Sequence, residues 1–227
     1  MSIKLFYLSA VAFGALTAGL NAQDSESRLP VTLGFKVGVP VTDMFRASNT
    51  NVFNSGISGS NYTSGVPRYT FGVTGEFRLP KQFRLEVDGL YKRAGFANSG
   101  PFAGGTDLFH QSTSLNVWEV PVLIKKTVTV GKVRPFVDIG ASLRHISTIS
   151  QYAAIPGVQN IQISQNSPAF HNRNSYGGVA GIGIAFKKGP VTFSPEVRYT
   201  RWANESFQAN GLRTNLDQGD VLLGITF

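Results

Sequence analysis

The sequence predicts an all-β protein: an eight-stranded antiparallel up-and-down barrel with transmembrane strands. Three observations predict this fold. Eight stretches alternate apolar and polar residues, the links between them are short and long in turn, and aromatic residues collect at the two ends of the stretches. Alternation with a period of two residues is typical of a strand whose two faces meet different surroundings.

The eight stretches are distributed along the whole chain after residue 30. Residues 31–39 set the pattern, with Leu33, Phe35 and Val37 on one face and Gly34 and Lys36 on the other. The predicted strands are 31–39, 68–79, 84–92, 118–125, 133–144, 180–186, 191–200 and 221–227. Their lengths are of the order needed to cross a bilayer at a tilt.

The links between the strands differ in a regular way. Tight turns are predicted at Pro80-Lys81-Gln82, Val130-Gly131-Lys132 and Lys188-Gly189-Pro190. The other four links, 42–66, 95–111, 146–175 and 203–217, are long and rich in Ser, Asn, Gly and Thr. An even number of strands with short turns at one end and long loops at the other is typical of an outer-membrane barrel.

The aromatic residues indicate which face of the barrel meets lipid. On the apolar face, one set lies beside the long links and a second set lies at the opposite strand ends. The two sets are Tyr69, Tyr91, Trp118 and Tyr199, and Phe77, Phe83, Phe186, Phe193 and Phe227. Two aromatic girdles around an aliphatic band suit a membrane. In a soluble barrel the same apolar face would line a lipocalin-like cavity, and the period alone does not decide between the two.

The start of the chain predicts export. A short start with Lys4 as its basic residue precedes an apolar run at residues 5–20, which is the pattern of a secretory signal. The run is shorter than a membrane helix of about 20 residues. We expect cleavage after Ala22. The predicted organisation is a signal peptide at 1–22, a short periplasmic segment at 23–30 and a barrel domain at 31–227.

Composition and charge exclude several classes of protein. The 227-residue chain has no Cys, which excludes a disulfide scaffold, an Fe–S centre and a thiol nucleophile. Its formal charge of +8 would suit nucleic acid, but no basic run is interleaved with aromatic residues, so nucleic acid is not an expected partner. His110 and His171 lack metal-ligand spacing, and we expect neither a metal nor a cofactor.

Four segments carry a family resemblance. They are Leu90-Tyr91-Lys92-Arg93, Trp118-Glu119-Val120-Pro121, the run from Ser194 to Tyr199, and the terminal Val221, Leu223, Ile225 and Phe227. In them the chain resembles the small eight-stranded bacterial outer-membrane β-barrel family, of the OmpX and OmpA transmembrane-domain type. The resemblance implies a monomer in the outer membrane, in contact with its lipid and lipopolysaccharide. It also implies that the terminal strand is a signal to the barrel assembly machinery.

If the apolar face meets lipid, the opposite face fills the interior with charge. An eight-stranded barrel is only wide enough for its own side chains, and buried charges must be paired. The predicted interior ion-pair network is Lys36, Glu76, Arg78, Arg84, Glu86, Asp88, Lys92, Glu119, Lys125, Arg134, Asp138, Arg144, Glu196 and Arg198. We therefore expect a closed interior, with the small residues of strand six making room for long Arg and Lys side chains.

The predicted function is a structural or surface-interaction role, with the long loops as the recognition surface. Its expected aromatic members are Phe45, Phe53, Tyr62, Phe102, Phe109, Tyr152, Phe170 and Phe207. Five loop arginines would either meet lipid phosphates or simply be solvated: Arg46, Arg93, Arg173, Arg201 and Arg213. A narrow solute channel is an alternative that the charged interior disfavours.

A second alternative is a lipid-A-directed acyl hydrolase. His145-Ile146-Ser147 is similar to the His-x-Ser pair of the lipid A deacylases, in which a histidine activates a serine hydroxyl. The neighbouring strand six offers no outward-facing acid to orient the histidine. We therefore expect no catalytic residues, with His145 and Ser147 as the candidates of the alternative.

Overall fold

The computed structural model describes residues 31–47, 61–63, 67–101, 108–154, 161–164, 172–209 and 212–227. The predicted signal peptide at 1–22 and the segment at 23–30 lie outside these residues. So do Phe53, Phe102, Phe170 and His171.

Eight long strands form the barrel. They are β1 (Val31–Pro40), β4 (Tyr69–Arg78), β5 (Phe83–Pro101), β6 (Leu108–Thr127), β7 (Val133–Ala154), β9 (Asn174–Lys188), β10 (Val191–Trp202) and β13 (Asp217–Thr226). Five short strands accompany them: β2 (Phe45–Ala47), β3 (Asn61–Thr63), β8 (Ile161–Ser164), β11 (Gln208–Ala209) and β12 (Leu212–Thr214). In the described residues, no helix is long and apolar enough to span a membrane.

The eight long strands close on themselves. Each pairs antiparallel with the next long strand along the chain, and β1 pairs with β13 with Phe35 opposite Ile225. There is therefore no free sheet edge among these strands. The prediction of a closed eight-stranded up-and-down barrel is confirmed.

Three tight turns lie at one end of the barrel, which we call the turn end; the opposite end is the loop end. The turns join β4 to β5, β6 to β7 and β9 to β10, where the sequence predicts them. Gly131 and Gly189 have φ of 61° and 63°, a left-handed conformation that glycine adopts without steric cost. Lys81 and Gln82 take similar positive values in the first turn.

The apolar face points outward. In β1, Phe35 and Val37 are 55% and 46% exposed, whereas Lys36 between them is 2% exposed. The same alternation runs along β6, where Trp118, Val120 and Val122 are exposed and Glu119 and Leu123 are buried. The soluble interpretation, with an apolar cavity inside the barrel, is therefore wrong.

Strands extend into two of the predicted long loops. β5, β6 and β7 run for 19, 20 and 22 residues, so they occupy 95–101 and 108–111 of the first loop and 146–154 of the second. The register of the β6–β7 pair shifts between Asn116 and Val117, which marks a bulge.

We call the parts of β5, β6 and β7 that lie beyond the predicted strands toward the loop end the extensions: residues 93–101, 108–117 and 145–154. The polarity of the two faces reverses along the extensions of β6 and β7. Leu115, Val117, Ile146 and Ile149 are buried and point inward, while the outward positions are polar, as at Thr148. We call this change the polarity reversal. Because of this reversal the sequence did not predict the extensions, since their exposed face has the composition of a loop.

Candidate functional site

A cluster of buried charges fills the middle of the barrel. We call it the central network: Lys36, Glu76, Arg84, Glu86, Asp88, Lys125, Glu196 and Arg198. These side chains occupy inward positions on β1, β4, β5, β6 and β10, where the period of two brings them to similar depths. All are buried except Arg84, whose side chain is 23% exposed.

Glu86 is the most connected carboxylate of the central network. It accepts from the Lys36 and Lys125 ammonium groups and, at 2.9 Å, from Nη2 of Arg198. Arg198 uses its other two nitrogens on Glu196 at 2.6 Å and Asp88 at 2.8 Å. Three cations on one carboxylate give a compact, cross-strand cluster with many shared partners.

A smaller ion-pair group lies toward the loop end. The Lys92 ammonium contacts Glu119 at 2.6 Å and Asp220 at 2.7 Å. Asp220 is absent from the predicted network, because the last predicted strand begins at Val221. The outward phase of Val221 was the available signal, since it places the preceding residue inside.

Arg144 is buried but makes no ion pair within the described residues. Its guanidinium lies over the Trp202 ring, 4.1 Å from the centroid, and Nη2 donates to Ser175 at 3.3 Å. The expectation that Arg144 belongs to the ion-pair network is therefore wrong. A cation–π contact with a buried aromatic ring takes the place of a carboxylate.

Three further members of the predicted network make no ion pair among the described residues. Asp138 is buried, yet in the described part of the chain neither carboxylate oxygen has a hydrogen-bond partner. Arg78 and Arg134 are exposed at the turn end, because their inward phase falls where the barrel wall ends.

The glycines of the sixth predicted strand, which is part of β9, make room for different groups than expected. A Cβ on Gly181 would lie 2.5 Å from Asp138 Oδ1 and 3.0 Å from Glu196 Oε1. A Cβ on Gly183 would lie 2.3 Å from the Phe136 ring. The space therefore serves two carboxylates and an aromatic ring, and the prediction of long Arg and Lys side chains there is wrong.

An apolar cluster closes the loop end above the charges. Its centre is a triad of rings: Phe45 lies 5.1 Å from Phe96 and 5.4 Å from Phe207, and Phe96 lies 5.7 Å from Phe207. We call the whole cluster the apolar cap: Met44, Phe45, Ala94, Phe96, Leu115, Val117, Ile146, Ile149 and Phe207. Phe45 and Phe207 were expected on the recognition surface, but both are buried, because they fill the mouth of the barrel.

The structure places the predicted girdle residues on the outer wall. At the loop end, the Tyr91 ring lies 5.4 Å from Trp118 and 6.3 Å from Tyr69, and its hydroxyl donates to Asn116. Tyr199 stands exposed on β10. At the turn end, the rings form the pairs Phe186–Phe193 and Phe35–Phe227, while Phe77 and Phe83 lie at the ends of β4 and β5.

His145 and Ser147 do not form a catalytic pair in this arrangement. His145 is exposed and its Nδ1 lies 2.7 Å from Asn174 Oδ1, while the Ser147 hydroxyl donates to the Asn116 carbonyl at 3.1 Å. No His–Ser hydrogen bond and no carboxylate on His145 occur among the described residues. Nor do these residues hold a group of three or more His, Asp or Glu that would bind a metal.

A closed barrel with an apolar wall, aromatic residues at both rims and an occluded charged interior defines a class: the outer-membrane β-barrel proteins. The family model of the outer membrane protein beta-barrel domain matches residues 21–203. The chain belongs to this family, and its location is the bacterial outer membrane, as predicted.

Several solved structures are similar to this chain. Neisserial surface protein A is 12% identical, with a TM-score of 0.43, over 87% of this chain and 96% of its own. OprG from Pseudomonas aeruginosa is 12% identical, with a TM-score of 0.46, over 86% and 92%. Ail, the attachment invasion locus protein of Yersinia pestis, is 10% identical, with a TM-score of 0.38, over 87% and 98%. No curated protein matches the sequence.

Proposed function

We propose that the protein is a closed outer-membrane barrel with a structural or surface-interaction role. Its turn end faces the periplasm and its loop end faces outward. The observation that carries this proposal is the filling of the interior at three successive levels, which leaves the outer surface as the part available to a partner.

The three levels would each obstruct a solute. To pass the central network and the Lys92 group, a solute would have to separate buried ion pairs, each of which is costly to separate in a low-dielectric interior. To pass the apolar cap, it would have to push apart three packed rings. A cavity near Lys92 and Glu119 measures about 20 Å³, which is room for about one water molecule.

The proposed interaction surface is the part of the barrel beyond the loop-end girdle. The extensions of β5, β6 and β7 project there, widened by β3 on β5 and by β8 on β7. In β6 and β7 the outward side chains of this region, such as Ser112 and Thr148, are polar, which suits contact with water, lipopolysaccharide or an extracellular protein. Tyr152 is 49% exposed in this region and offers an aromatic contact.

Conductance across a planar bilayer tests the closed interior. We expect the folded protein to add no stepwise current, whereas a general porin in the same bilayer gives clear steps. Folding is checked first by the change in gel mobility between boiled and unboiled samples. Reproducible unit steps from the folded protein would contradict the proposal and favour the channel.

A further inference from the structure

A small cavity at the turn end is lined by three arginines. Its volume is about 160 Å³, and Arg78, Arg84 and Arg134 contribute to its wall. Gln82, Thr127 and Thr129 line it as well and add one amide and two hydroxyl groups. The cavity lies at the turn-end termini of β4, β5, β6 and β7, and Arg84 is the one member of the central network that lines it.

The positive charge in this cavity is incompletely balanced. Arg78 and Arg84 are directly opposite each other across the β4–β5 pair, and like charges at opposed positions destabilise a sheet. Arg84 pairs with Glu76, but Glu76 is shared with Lys125. The side chains of Arg78 and Arg134 make no hydrogen bond or ion pair within the described part of the chain.

No acid of the surrounding segments compensates this charge. Residues 78–84, 126–135 and 186–192 contain no Asp or Glu. The same segments add five lysines to the three arginines: Lys81, Lys126, Lys132, Lys187 and Lys188. A concave site with an excess of cations and several neutral donors attracts an anion from solution or from the membrane surface.

We propose that this cavity binds a phosphate group. Guanidinium groups match the geometry of phosphate oxygens with paired hydrogen bonds, and the Thr and Gln side chains supply further donors. The volume accommodates one phosphate group. Phe83 of the turn-end girdle borders the cavity, which sets it at the depth of lipid headgroups.

The phosphate has two sources in this position: the headgroup of an anionic phospholipid or free inorganic phosphate. The site does not depend on the closed interior proposed above, because it lies at the mouth of the barrel. Failure of the conductance test would leave it standing, and its own failure would leave the proposed function standing.

Calorimetric titration of the folded barrel with inorganic phosphate, in a nonionic detergent, tests the site. The cavity variant is Arg78→Gln with Arg134→Gln. The matched control is Lys132→Gln with Lys188→Gln, which removes the same charge from the same end but outside the cavity. We expect the affinity of the cavity variant for phosphate to fall at least about tenfold, and the affinity of the control to match that of the unmodified protein.

A competition experiment then identifies the source. If dispersed phosphatidylglycerol displaces phosphate and phosphatidylcholine does not, the ligand is an anionic lipid headgroup. If neither lipid displaces phosphate, the ligand is free phosphate. The absence of phosphate binding, or an equal loss in both double variants, would overturn the proposal by showing only a diffuse basic surface. Each single arginine variant, checked for folding by gel mobility, replaces the double variant if that variant does not fold.

Discussion

Glu86 and Asp138 are both carboxylates buried inside the barrel, but their surroundings differ. Glu86 contacts three cations, whereas Asp138 makes no ion pair among the described residues and approaches Glu196 beside Gly181. A buried charge is stabilised by its partners and destabilised without them. The two residues should therefore respond oppositely to neutralisation.

Glu86→Gln is expected to lower the free energy of unfolding by about 3 kcal/mol, because it leaves buried cations without a full counter-charge. Asp138→Asn is expected to leave the stability unchanged or to raise it. The Asn side chain has nearly the same size as Asp, and the substitution removes an unpaired charge. Urea unfolding of the reconstituted barrel, followed by gel mobility, measures both. A similar loss in both variants would contradict this account.

The sequence predicted which side chains point inward more reliably than which of them pair. The period of two placed Lys36, Glu86 and Arg198 inside, and they are buried there. It could not show that Arg144 stacks on Trp202, because Trp202 lies beyond the end of the predicted seventh strand. Contacts between distant strands depend on shear and depth, which periodicity does not contain.

The extensions of β5, β6 and β7 are the elements in which sequence and structure differ most. Within the membrane-facing part, apolar side chains point outward, and beyond the bulge after Asn116 they point inward to the apolar cap. A search for an apolar outer face therefore ends at Trp118 in β6. The tight turns were easier to predict, because Gly and Pro mark them directly.

Phe96→Ala tests whether the apolar cap holds the extensions together. Phe96 is 8% exposed and contacts Phe45 and Phe207, so its truncation should cost about 3–5 kcal/mol of local stability. We expect faster amide hydrogen exchange in the extensions of β5 and β6 and unchanged exchange in β13. Tyr152→Ala, an exposed aromatic at the same end, is the control. Equal effects of the two variants would show that the cap does not order this region.

The closure of the barrel could be predicted from its strand count and the order of its links. Closure between β1 and β13 follows from an even number of antiparallel neighbours, and the structure has this pairing. The orientation of the barrel in the membrane is inferred from the lengths of its turns and loops, and no single contact fixes it. It is therefore tested on the intact molecule.

Labelling of introduced cysteines tests the orientation, and the chain offers no background because it contains no Cys. Ser112→Cys lies on the outward face of the β6 extension, and Lys132→Cys lies in the second tight turn. We expect a membrane-impermeant maleimide to label the Cys at 112 in intact cells. The Cys at 132 should react only after the outer membrane is permeabilised, and the reverse pattern would contradict the orientation.

The polarity reversal also has a consequence for how far the barrel can move along the membrane normal. A displacement by one residue, about 3.3 Å along a strand, would carry Asn116 toward the hydrocarbon or Trp118 toward water. A polar side chain is costly to place in hydrocarbon, and a Trp ring prefers the membrane interface to water, so both directions are opposed. The barrel therefore keeps a fixed depth in the membrane. A bilayer whose hydrocarbon thickness differs from the height of the barrel's apolar band must thin or thicken around it.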